Sequence, residues 1–148
     1  MRTGLLVLHI TGVAAWLGAN VVQLVLSPRF AREPAAVAAA WTRQTIWLGQ
    51  RYYNVAGALI LLTGVALVLD GDWSWSAGFV AVGVTVVVVG GLLGVLGFAP
   101  VAESRASALE SGDRAAASRA QGRLIPLALL DTALVLTAVL AMVDKWRA

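Results

Sequence analysis

Long apolar stretches alternate with short charged ones along the chain. No Asp, Glu, Lys or Arg occurs from Thr3 to Pro28, from Tyr52 to Leu69, or from Trp73 to Ala102. The stretch from Leu124 to Val143 holds one such residue, Asp131. A hydrocarbon core of ~30 Å needs about 20 apolar residues in a helix. The pattern therefore predicts four transmembrane helices, at about 4–26, 52–70, 77–99 and 124–143. The third is rich in valine, from Val80 to Val89. In water that would suggest a strand, but its length and lack of charge favour a helix whose backbone bonds are satisfied internally. Arg2 and the run Leu5-Leu6-Val7-Leu8 look like the start of a signal peptide. The apolar run is too long for one and lacks an Ala-x-Ala pattern, so a retained helix is expected.

The segments joining the first span to the second, and the third to the fourth, read as helical extensions. Pro34 suits a first helical turn, and no breaker follows from Ala35 to Tyr53. Val37, Trp41 and Leu48 would share a face there, and the helix would run unbroken into the second span. The third helix is expected to pass Pro100 and reach Leu109. Ser111-Gly112-Asp113 reads as a helix stop followed by an N-cap. The fold class is thus an all-α membrane protein: a four-transmembrane-helix bundle with helical cytoplasmic extensions, one domain over residues 1–148.

Composition agrees. Of the 148 residues, 59% are hydrophobic and 13% charged, against roughly 45–50% and about 25% in soluble domains. This excludes a disordered chain and a nucleic-acid-binding domain. With no cysteine, disulfides, thiolate metal sites and cysteine nucleophiles are excluded as well.

Charge sets the expected orientation. Arg29, Arg32, Arg43 and Arg51 lie in the first joining segment, and Arg105, Arg114, Arg119 and Arg123 in the second. The turn Asp70-Gly71-Asp72-Trp73-Ser74-Trp75 has no basic residue, and the two termini hold Arg2, Lys145 and Arg147. Eight against three places the long segments in the cytoplasm and both termini outside. Localisation reads as a bacterial-type cytoplasmic (inner) membrane, multi-pass, with Trp73, Trp75 and Trp146 in an outer aromatic belt.

Polar residues within the spans carry the candidate chemistry. His9, Trp16, Asn20 and Gln23 fall within about 60° of one another on the first helix, with Gly12 beside them. Such a stripe either packs helices in lipid or lines a ligand or proton path. Asp131 is the one carboxylate well inside a span, so it should face the bundle and find a partner or a proton. Asn20, Gln23, Asn54 and Asp131 are the ligand-binding or proton-handling candidates. His9 is the single histidine. It reads either as a packing residue bonded to a carbonyl or to Asp70, Asp72 or Asp144, or as a haem ligand with Met142 or a second copy's His9. No zinc spacing is present. Gly90 and Gly94 form Gly-x-x-x-Gly, which permits close helix approach in the bundle or in a homodimer.

Leu8-His9 followed by Ala15-Trp16-Leu17-Gly18-Ala19, with the tail Met142-Val143-Asp144-Lys145, resembles a family of four-helix bacterial integral membrane proteins of unknown function. The first helix also resembles copper-resistance CopD-like proteins and membrane-type protoporphyrinogen oxidases. That resemblance implies His9 as a haem ligand and a basic residue within the third span, which this chain lacks.

Three functions compete. The favoured one is a non-enzymatic module for small-ligand binding, transport or accessory work, with Asn20 and Asp131 in a polar cavity. The others are a haem- or copper-binding redox protein using His9 and a structural subunit of a membrane complex. No catalytic residue and no cofactor is assigned, haem being the one alternative. The expected partners are the bilayer and a homodimer or membrane subunit, not nucleic acid.

Overall fold

In the computed structural model, which describes residues 1–144, the chain is all-α with four long helices: α1 (Arg2–Phe30), α2 (Ala35–Asp70), α3 (Gly78–Glu110) and α4 (Arg114–Asp144). Each is long and apolar enough to cross a membrane. At 1.5 Å per residue the shortest, with 29 residues, is about 43 Å and the longest, with 36, about 54 Å. All exceed a ~30 Å hydrocarbon core, so their ends project as helical extensions. The outward surface is what lipid requires: Val55, Leu62, Val95 and Leu96 are each about 70% exposed. Lys145, Trp146 and Arg147, which entered the orientation and aromatic-belt expectations, lie outside the described residues.

The helices run up and down in a ring, each packed on the next, with α4 closing on α1. The two arginine-rich connections therefore lie at one end of the bundle, and the Asp70–Ala77 turn at the other. Helix α1 continues through Pro28, and Pro34 precedes α2 in an extended conformation instead of opening its first turn. Asp113 caps α4, its Oδ1 accepting the Ala116 N–H at 2.9 Å, and Gly112 takes φ +81° to turn the chain.

Two helices carry π-helical segments, Gly49–Tyr53 in α2 and Leu93–Phe98 in α3. The first marks a change of partner. Below its π segment α2 packs on the end of α3; above it, on α1. In α3 the segment ends two residues before Pro100, whose ring would clash with an ordinary helical carbonyl four residues back, at Leu96 inside the segment. Widening the turn relieves that clash and lets the helix continue.

The core is assembled from all four helices: Trp16, Ala56, Ile60, Val86, Val135 and Ala138. A smaller cluster of Val68, Ala77 and Val80 lies under Trp73 and Phe79 at the turn end. The extensions pack differently from the expected face of Val37, Trp41 and Leu48. Val37 is 42% exposed, and the buried α2 residues there are Ala38, Ala39 and Thr42. Opposite them lie Ala102, Ala106 and Ala108 of α3, so small side chains let the helices approach closely. Trp41 instead stacks on Phe30 of α1 and donates to Ser27.

Candidate functional site

The α1 stripe forms the inner face of its helix. His9, Gly12, Trp16 and Asn20 are its buried residues. Trp16 reaches the bundle centre. A methyl group built on Gly57 of α2 would lie 3.0 Å from its Cζ3, and one on Gly90 of α3 would lie 3.1 Å from its Cζ2. Its Nε1 donates to Asp131 Oδ2 of α4 at 2.9 Å. All four helices meet at this one indole.

Asp131 is 5% exposed. The same Oδ2 accepts a second bond, from Asn20 Nδ2 at 2.7 Å. Asn20 Oδ1 accepts from the Tyr53 hydroxyl at 2.6 Å, and that hydroxyl accepts from Gln23 Nε2 at 2.7 Å. The bonds run in one direction, Gln23 to Tyr53 to Asn20 to Asp131, so each dipole points its positive end toward the carboxylate. The Tyr53 ring packs edge-on against Trp16, centroids 5.4 Å apart. Among the described residues no cationic side chain lies in ion-pair contact with Asp131. An ionisable group held in this way by two neutral N–H donors is costly inside a membrane-length helix.

The structure thus joins three of the four polar candidates, Asn20, Gln23 and Asp131. Asn54 lies apart from them: it is exposed and donates to the Gln50 carbonyl of its own helix. Tyr53, its neighbour, takes the place. One helical residue turns a side chain by about 100°, and the π segment ending at Tyr53 shifts that phase again. Trp16 was legible as part of the stripe, but its role as donor was not, because nothing in α1 shows what α4 brings to it.

The expected polar cavity is not what lies beside these residues. The cavity there is about 40 Å³ and apolar, lined by Trp16, Ile60, Val86, Val135 and Met142 among others. Met142 fills its far side, its Cε 2.7 Å from a methyl group built on Gly83. Asn20 and Asp131 are buried, whereas Tyr53 and Gln23 at the far end of the hydrogen-bonded chain are partly exposed.

His9 belongs to the α1–α2 interface. Its Nδ1 bonds the Ile60 carbonyl at 3.1 Å and the Thr63 hydroxyl at 3.0 Å, and its Cε1 lies against Gly64. Its partners are therefore neither Asp70 nor Asp72 nor Asp144. Met142 faces Gly83 of α3, so the two residues proposed as a ligand pair point into different interfaces. Among the described residues no group of three or more Cys, His, Asp or Glu side chains converges. Gly90 is a contact point for an indole, whereas a methyl group at Gly94 would meet nothing within 4 Å. Gly-x-x-x-Gly is therefore not a paired packing motif inside this bundle.

A second polar anomaly lies in the extensions. Arg105 of α3 is 3% exposed. Its guanidinium donates to the Thr42 hydroxyl of α2, and its Nε has no partner. Burial alone pulls its pKa below the ordinary arginine value. The neighbouring Arg43 is exposed and bonds Glu110 in bidentate fashion, at 3.0 and 3.1 Å, and Glu103 at 2.5 Å. Thus α2 and α3 are joined by an ion-pair clamp outside and an unpaired guanidinium inside.

Comparison with family models, curated proteins and solved structures found no match to this chain.

Proposed function

We propose that this multi-pass membrane protein is a non-enzymatic transport or accessory module in which Asp131 handles a proton or a small cation. It would sit in a bacterial-type cytoplasmic membrane with both termini outside. The observation that carries the reading is the carboxyl of Asp131. It is buried at the meeting point of four membrane-length helices, bonded to Trp16 and Asn20, and has no cationic partner among the described residues. A packing role alone would be served by a neutral amide or hydroxyl, which costs far less to hold in lipid than an ionisable group. The carboxyl itself is buried behind Asn20, so exchange with water requires this end of the hydrogen-bonded chain to open, as in gated transport rather than an open pore.

The test is reconstitution into liposomes enclosing a pH-sensitive dye. Wild-type protein should dissipate an imposed proton or monovalent-cation gradient. Asp131→Asn should not, at equal incorporation and equal helical content. Equal leak rates for the two would end this reading. Orientation has its own test, since the chain lacks cysteine. A membrane-impermeant thiol reagent on intact cells should label Ser74→Cys and spare Ser111→Cys; the reverse would invert the topology.

A further inference from the structure

Arg51 is exposed, yet it sits beside the membrane-buried part of α1. His9 against Gly64, Gly12 against Ile60 and Phe30 against Trp41 fix the antiparallel register of α1 and α2. That register sets Arg51 next to the Asn20 turn, well inside the charge-free stretch of α1. A guanidinium at that depth on an outward face must reach toward the headgroups or find an anion. Trp47 lies four residues before it, one turn nearer the arginine-rich end on the same side of α2. Its indole is 55% exposed. Neither the Trp47 indole N–H nor the Arg51 guanidinium has a hydrogen-bond or ionic partner among the described residues. Tyr52, next along, is tied to the Ala15 carbonyl and anchors the backbone here. An exposed tryptophan marks the interfacial level of a bilayer.

The end of the bundle nearer Arg51 carries more arginines than acidic residues. Arg43 takes up Glu103 and Glu110. Arg29, Arg32, Arg114, Arg119 and Arg123 remain exposed and have no ion pair among the described residues.

We propose that Trp47 and Arg51 form a phospholipid site, in which the guanidinium holds a headgroup phosphate and the indole N–H donates to the same headgroup. The surrounding arginines select an anionic lipid over a zwitterionic one. The ligand chemistry is a phosphate oxyanion, and its source is the leaflet at the arginine-rich end. The proposal rests on the membrane embedding and is independent of Asp131.

Native mass spectrometry of the delipidated full chain in neutral detergent tests it. Phosphatidylglycerol, phosphatidylcholine and inorganic phosphate are added in separate arms. Wild-type protein and Asp131→Asn should bind phosphatidylglycerol in preference to phosphatidylcholine. Arg51→Gln should bind it roughly fivefold more weakly, the loss expected for one basic side chain at an anionic surface. Trp47→Phe, which keeps the ring and removes the N–H, should also weaken it. Arg123→Gln, which removes one of the selecting charges but no contact to the phosphate, should weaken binding clearly less than Arg51→Gln does. Equal losses in Arg51→Gln and Arg123→Gln would reduce the effect to diffuse charge and overturn the site. So would equal binding of the two lipids. Occupancy by inorganic phosphate alone, blocking the lipid, would overturn the lipid source. Helical content of each variant, measured alongside, separates lost binding from lost fold.

Discussion

The Trp16 indole of α1 donates to Asp131 of α4 across the centre of the bundle, 115 residues along the chain. That bond ties the first helix to the last, and Asn20 doubles it on the same oxygen. Replacing Asp131 by leucine strands two buried N–H donors. The expected cost is roughly 1–3 kcal/mol of stability. Asp131→Asn retains an acceptor oxygen of the same size and should unfold close to wild type, even where it abolishes gradient dissipation. Denaturant unfolding in mixed micelles, followed by tryptophan fluorescence, separates the two. A leucine variant as stable as the wild type would show that Trp16 and Asn20 find other acceptors.

Much of this centre could be read from spacing, because one helix carries its own phase. His9 and Trp16 are seven residues apart, and so are the glycines they rest on, Gly64 and Gly57. Antiparallel packing matches the two sevens. The α1 half of the match was visible as a polar stripe; the α2 half was hidden, since Gly57 and Gly64 look like any glycine in an apolar run. The passage of α3 through Pro100 to about Leu109 was legible, whereas the run of α1 past Pro28 to Phe30 was not. Helices in membranes tolerate proline because neighbouring groups and local widening of the turn re-satisfy the freed carbonyl. Arg105 was counted toward orientation, and only the α2–α3 crossing shows it to be buried.

The two glycines of the third span should behave oppositely. At Gly90 a methyl group would lie 3.1 Å from Trp16 and 3.3 Å from Asp131 Oδ1. The indole cannot retreat, because Gly57 meets its other edge and Asp131 holds its nitrogen. Gly90→Ala should therefore destabilise by about 1–3 kcal/mol. Gly94→Ala meets open space and should be neutral or stabilising by up to ~1 kcal/mol, the ordinary gain in a helix. Thermal unfolding of the pair checks the contrast; equal losses at both would restore Gly-x-x-x-Gly as a single packing motif.

The Arg43 clamp gives the extensions a pH dependence of predictable sign. Hydrogen bonds from Arg43 hold the Glu110 carboxyl below its ordinary value of 4.5. A carboxylate lowered in the folded state contributes stability above that ordinary value and loses it as pH falls through the lowered one. The difference in unfolding temperature between wild type and Arg43→Gln should be flat from about pH 8 to about pH 6 and shrink below about pH 4. Because the pair is exposed, added salt should shrink it as well. A difference that widens on acidification would contradict the assigned ion pair.

Arg105 invites the opposite expectation from most buried polar residues. Its guanidinium is shut among alanines with the Thr42 hydroxyl as acceptor and an orphaned Nε. Removing it strands nothing, since Thr42 also donates to the Ala38 carbonyl at 2.8 Å. Methionine matches the aliphatic reach of the side chain without its charge or donors. Apolar replacement of buried charge is commonly neutral or stabilising by about 1–4 kcal/mol. Arg105→Met should therefore unfold at or above the wild-type temperature, while Thr42→Val in the wild-type background, which removes the one acceptor, should lower it. The double variant separates the causes: once Arg105 is methionine, Thr42→Val should cost little. If Arg105→Met is itself strongly destabilising, the guanidinium contributes contacts that hold α2 against α3, and the arginine is a structural pin rather than a strained one.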